Sequence, residues 1–215
     1  MARHSSATFA TRILTAVSLL WFAEAAPPEV PVRVTGPENG AIVNAGGAVT
    51  VTVTVPPGAY RSISIAGDGP FELSTSLSAP PYQFSYPIPA DYASGRYRFH
   101  ATGATESGEP VCSDVVEIDI ERPDEPKKLL AEFVSLTFGD EKVLPLQIWG
   151  IFADGSKVDV TRSRRMAYTS DKPAIATVSD DGVVSAVAQG KARITARYSD
   201  KILIVPVTVT QKPNR

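Results

Sequence analysis

From Pro27 onward, proline and glycine interrupt this chain at short intervals, with 18 of the first and 15 of the second in 215 residues. Neither is well tolerated inside a long helix, so the pattern favours many short strands separated by turns. The segments between the breaks agree. Val49, Val51, Val53 and Val55 alternate with Thr50, Thr52 and Thr54. This period of two in β-branched residues sends valine toward a core and leaves threonine for water. Tyr82, Phe84, Tyr86 and Ile88 repeat it, as do Val116, Ile118 and Ile120, and later Ala192, Ile194, Ala196 and Tyr198.

The amino-terminal residues follow different rules. Arg3 and Arg12 supply a positive region, Ile13 to Phe22 form an apolar run, and Ala23-Glu24-Ala25 is a small-residue cleavage site. That layout predicts a secretory signal peptide over residues 1–25, cut after Ala25. The run is too short for a transmembrane helix, and no later apolar run approaches a membrane span. The expectation is an exported protein in the periplasm, at the cell surface or outside the cell, with no lipid-bearing cysteine beside the cleavage site. Cleavage removes Arg3, Arg12 and Glu24 and leaves 19 basic and 22 acidic side chains, a formal charge of −3. Nucleic acid is a poor partner for such a chain.

The remaining length suits two β-sandwiches of ordinary size, about 100 residues each. The reading places a first immunoglobulin-like sandwich at 26–122, a linker at 123–128 and a second sandwich at 129–215. The boundary rests on Glu121-Arg122-Pro123-Asp124-Glu125-Pro126-Lys127-Lys128, a charged stretch with two prolines that reads as semi-stiff. In the first half, Tyr97 stands two residues before Phe99, where antibody domains carry a tyrosine and then a cysteine near the start of strand F. The cysteine is absent here. Cys112 is the only cysteine, so no intrachain disulfide can tie the sheets together, and packing must do so. Its sequence neighbours offer nothing to lower its pKa, so it reads as a small residue in a strand or at a strand end.

The second half carries an ordered set of motifs. Asp154-Gly155-Ser156-Lys157-Val158-Asp159-Val160-Thr161 comes first, then Thr169-Ser170-Asp171-Lys172-Pro173 and Ala176-Thr177-Val178. Gly182-Val183-Val184 follows, then Gly190 with Ala192-Arg193-Ile194-Thr195-Ala196. Over about residues 129–210 this order resembles the bacterial immunoglobulin-like domain, group 2, of intimins and invasins. Tyr168 departs from the tryptophan often found at its position, although either ring fills a core. Residues 30–122 resemble only a generic immunoglobulin-like sandwich. The resemblance implies a module of bacterial surface and secreted proteins that serves as a spacer, an adhesive surface or an appendage, with no invariant catalytic set.

Reading the residues for chemistry gives little to set against that. His100 is the only histidine left after cleavage, and no nucleophile motif or orienting acid accompanies it. One histidine and one cysteine fall short of a zinc site. Asp154, Asp159, Asp171, Asp180, Asp181 and Asp200 lie at turns, where calcium could be held, but their spacing is not that of an EF-hand, and turn geometry explains most of them. Rings at every second residue from Tyr82 could stack on a sugar, though in a sandwich without disulfides they read as core. Arg162-Ser163-Arg164-Arg165, the one basic cluster, could meet an anionic partner and otherwise reads as a solvated loop. The expectation is a non-enzymatic protein without cofactor or metal, acting by contact with a protein or glycan of the cell envelope. The alternative is an accessory or substrate-binding subunit of a secreted enzyme or envelope export system.

Overall fold

The computed structural model describes residues 32–72 and 75–210; the signal peptide expected over residues 1–25, with its cleavage after Ala25, lies outside the described residues. The described residues form strands, turns and one 3₁₀ turn, Gly69–Phe71. In the first half the strands are β1 (Arg33–Gly36), β2 (Ala41–Asn44), β3 (Ala48–Thr54), β4 (Ser62–Gly67) and β5 (Thr75–Leu77). They continue with β6 (Gln83–Pro87), β7 (Gly95–Ala104), β8 (Pro110–Cys112) and β9 (Val116–Glu121). One sheet has the order β1-β3-β6, and the other β2-β9-β7-β4-β5 with β8 added to β7.

The second half contains β10 (Lys128–Ala131), β11 (Leu136–Phe138), β12 (Val143–Pro145), β13 (Ile148–Ile151) and β14 (Lys157–Asp159). It closes with β15 (Met166–Ser170), β16 (Ala176–Val178), β17 (Val183–Ala186), β18 (Gly190–Tyr198) and β19 (Lys201–Val209). The sheet β11-β19-β18-β15 faces strands arranged as β10-β13-β14 and β12-β17-β16.

Two hydrophobic cores result, one within residues 32–120 and the other within 129–209. The valines of β3 point inward and Thr50 and Thr54 outward, as the period of two requires. Phe84 and Tyr86 are buried beneath β6, so the aromatic strand belongs to the core. Both sandwiches open in the same way, with a first strand divided between the two sheets. β1 runs antiparallel to β3 while β2 runs parallel to β9, and β10 runs antiparallel to β13 while β11 runs parallel to β19. This shared edge, with antiparallel sheets packed face to face, makes the protein all-β with two tandem immunoglobulin-like modules.

Two continuous apolar stretches of the second half are each divided between two strands. Val143 to Phe152 divides into β12 and β13 because Pro145 lacks an N–H and Leu146 turns its own to Gly182 O at 2.8 Å. Leu129 to Phe138 divides between β10 and β11 as the chain passes from one sheet to the other. The Asp154-Gly155 and Asp181-Gly182 turns form as expected, with glycine φ values of +84° and +76°.

Candidate functional site: the junction between the modules

Residues 123–128 are not a free tether. Pro126 is buried against Gly150, and Lys127 donates its N–H to Ile151 O at 2.7 Å. The two residues before this stretch, Glu121 and Arg122, are buried polar groups, 1% and 7% exposed. Successive side chains leave a strand on opposite sides, so the two serve different parts of the contact.

The Glu121 carboxylate accepts from Ser163 Oγ at 2.7 and 3.0 Å and from the Arg164 N–H at 2.8 Å. Loss of water pushes its pKa up, opposed by these hydrogen bonds and by the Arg165 guanidinium. Arg122 spreads its donors over Asp124 at 3.0 and 3.1 Å, Asp154 at 3.1 Å, Ala90 O at 2.9 Å and Ser156 Oγ at 3.3 Å. Its Cζ lies over the Phe152 ring, 4.5 Å from the ring centre. A planar fork with two carboxylates and an aromatic face is a use that lysine cannot reproduce. The hydrogen bond to Asp124 raises the Arg122 pKa further, and Ser156 and then Arg122 hold Asp154 down at about 2.

The second module answers with its basic loop. Arg162 donates to Arg96 O at 2.8 Å and lies 6.0 Å from the Tyr97 ring centre, Arg164 reaches Asp119 at 3.6 Å, and Arg165 donates to Arg122 O at 2.7 Å. Main chain meets main chain where the Ser94 N–H bonds Asp159 O at 2.8 Å. The approach is close enough that a Cβ on Gly95 would lie 2.9 Å from Arg162 Cβ. The reading of Arg162 to Arg165 as a solvated loop is therefore corrected: the loop docks on the first module. Its shape is set locally, since Ser163 and Met166 close turns onto Val160 O and Ser163 O, and Tyr168 Oη donates to Thr161 O at 2.8 Å.

Other residues singled out in the sequence lie apart from this contact. His100 is half-buried on β7 opposite Ala66. Cys112 ends β8 as an exposed thiol, its Sγ 3.6 Å from Thr102 Oγ1. The turn aspartates do not converge: Asp159 caps the Thr161 N–H, Asp171 holds Arg193, Asp181 approaches Arg162 and Asp200 holds Lys201. Among the described residues no cluster of three His, Cys, Asp or Glu could hold a metal ion. Tyr97 does what its position suggested, donating to Ala93 O at 2.9 Å as a tyrosine corner does. The junction itself was not legible in the sequence. A glutamate and an arginine closing a strand before a proline-rich stretch were its only trace.

The fold and junction define a class, tandem immunoglobulin-like β-sandwiches joined through an ordered contact. Within it, residues 164–211 match the family model of the bacterial Ig-like domain. No protein of curated function matches the chain in sequence. Fibronectin(III)-like modules of Clostridium thermocellum CbhA are 19% identical over 41% of this chain and 93% of theirs, at a TM-score of 0.36. Domains 4 and 5 of the S-layer protein SbsC are 17% identical over 85% of this chain and 98% of theirs, at 0.35. The β-glucuronidase of Parabacteroides merdae is 10% identical over 85% of this chain and 24% of its own, at 0.38. Among the described residues no helix is long and apolar enough to cross a membrane.

Proposed function

We propose that this is an exported, non-enzymatic protein that acts by surface contact, two immunoglobulin-like modules holding their loops and sheet faces at a fixed mutual angle. The observation that carries the reading is the junction. Glu121, Arg122, Arg162, Arg164 and Arg165 are committed to partners across or beside it, so the groups gathered there hold geometry and leave no free nucleophile or base. A fixed pair of modules suits a spacer or a presenting surface for a protein or glycan of the envelope. In this reading residues 1–25 are a signal peptide cut after Ala25, residues 26–122 and 129–215 are the two modules, and the second is of group 2, invasin- or intimin-like. The protein acts in the periplasm, at the cell surface or outside the cell, without catalytic residues, cofactor or metal.

Cell fractionation with mass spectrometry of the amino terminus tests export; a mature end at Ala26 is expected, and an uncleaved cytoplasmic chain overturns it. Pull-down from envelope extract tests the role. Retention by whole cells or a glycan array is the expected result, whereas a stoichiometric enzyme or export subunit in its place supports the accessory reading.

A further inference from the structure

We propose that the groove at the outer end of the first module is a seat for the chain's own proline-rich leader, residues 26–31 of the processed protein. The start of the leader at Ala26 rests on the export reading above; the groove does not. It holds about 370 Å³ between the loop after β3 and the entry to β6, and is walled by Val55, Pro56, Pro57, Pro80, Pro81 and Tyr82. No charged side chain lines it. Ala45, just before β3, donates its N–H to Glu121 O at 2.9 Å. β3 therefore starts at the junction, and its far end carries the groove away from the second module.

The second module shows the path that such a lead-in takes. Lys128 pairs with Ile151 where β10 meets β13, as Arg33 pairs with Thr54 where β1 meets β3. Counting back from these pairs matches Pro126 with Pro31, Pro123 with Pro28 and Arg122 with Pro27. Counting forward matches Phe152 with Val55, Asp154 with Pro57, and Gly155 with Gly58, whose φ values are +84° and +73°. In the second module the lead-in folds over the loop after its strand. Pro126 is buried against Gly150, while Arg122 lies over Phe152 and bonds Asp154. The first module replaces the charged pair of Arg122 and Asp154 with Pro27 and Pro57, so apolar contact closes the same path.

The leader, Ala26-Pro27-Pro28-Glu29-Val30-Pro31, suits that path. Pro31 has no N–H with which to carry the β1–β3 ladder further, so the chain leaves the sheet where the register sets it beside Pro56. Its prolines favour polyproline II, which winds three residues per turn without internal hydrogen bonds. Pro28 and Pro31 then share one edge, Pro27 and Val30 a second, and the single charge, Glu29, falls on the third, toward water. Six residues at about 3.1 Å each span about 19 Å. Tyr82 precedes β6, which lies two strand spacings from β1, about 10 Å. An aromatic ring in a groove is how proline-rich segments are received, and the tether holds this one at millimolar effective concentration.

NMR spectra of three chains test the seat: residues 26–215, residues 32–215, and residues 26–215 carrying Pro27→Gly and Pro28→Gly. The last keeps the full length should the shortened chain fail to fold. Overhauser contacts between the Tyr82 ring and the leader prolines are expected in the first chain and lost in the glycine variant, with the Gly58 and Gln83 amides displaced in both altered chains. A free peptide of residues 26–31 binds the shortened chain with a Kd below about 1 mM, binds its Tyr82→Ala variant at least about tenfold more weakly, and leaves the intact chain unmoved at the same concentration. Identical Gly58 and Gln83 signals with and without the leader overturn the proposal, as does peptide binding equally to intact and shortened chains. Contacts that appear only as protein concentration rises overturn it too, because the leader then belongs to another copy. An uncleaved native chain would sink the export reading, whereas these spectra, taken on a chain started at Ala26, decide the seat on their own.

Discussion

The two modules reach one architecture by different means. The first is built around rings: Phe71 sits 4.4 Å from Phe99 and 5.0 Å from Tyr86, and Tyr97 ties the entry to β7 through Ala93 O. The second relies on aliphatic residues of β18 and β19 with Tyr198, Phe138 and Phe152, and on two Asp-Gly hairpins that set its registers. Neither has a disulfide, since the one thiol is exposed on β8. The β-sandwich thus tolerates either core provided the divided first strand and the paired sheets are kept. What differs between the halves is how the sequence announces them.

The comparison can be broken at the first core. Phe71→Ala removes a fully buried ring and is expected to cost about 3–5 kcal/mol, read by calorimetry as loss of the first module's transition. If the Trp149 fluorescence transition of the second module moves equally, the two cores unfold as one unit. The junction comes next. Glu121→Ala leaves Ser163 Oγ and the Arg164 N–H without their acceptor in a buried place, at about 1–3 kcal/mol of docking. Small-angle scattering should then show a broadened distribution of inter-module distances while both modules stay folded.

Gly95→Ala forces Arg162 aside and is expected to weaken docking by about 1–2 kcal/mol, with increased proteolysis near residues 122–127 as the readout. Tyr97→Phe deletes the corner hydrogen bond and should lower the first module alone by about 1 kcal/mol in urea unfolding. The smallest effect concerns pH. Because burial raises the Glu121 pKa, its proton-linked contribution is fully present below the ordinary carboxylate range and is lost as pH rises through the raised value. Glu121→Gln should flatten that dependence. Asp154 works in the opposite sense, its contribution present above the ordinary range and lost as pH falls through about 2.

Alternation in β3 and β9 and the Asp-Gly turns made strands, faces and hairpins legible, because these depend on neighbours in the chain. Tyr97 was legible through its spacing from Phe99. Phe71 was not: it follows Gly67-Asp68-Gly69-Pro70, a stretch that reads as a turn, yet its ring lies at the centre of the first core. The division of each first strand between sheets was hidden too, since strand partners lie far off in sequence. The arginine loop shows the limit most clearly. Arg162, Arg164 and Arg165 look like a solvated charge run until Arg96, Asp119 and Arg122, at least 43 residues away along the chain, are brought against them.

Glu121 and Arg122 are adjacent yet are received by different surfaces, one by Ser163 and Arg164, the other by Asp154 and Phe152. A module transplanted in place of the first by recombination would have to end its last strand with this acid and this base in this phase. Exchange of either module would thus carry a condition set by the other: an acid and a base in this order must meet these two receptors.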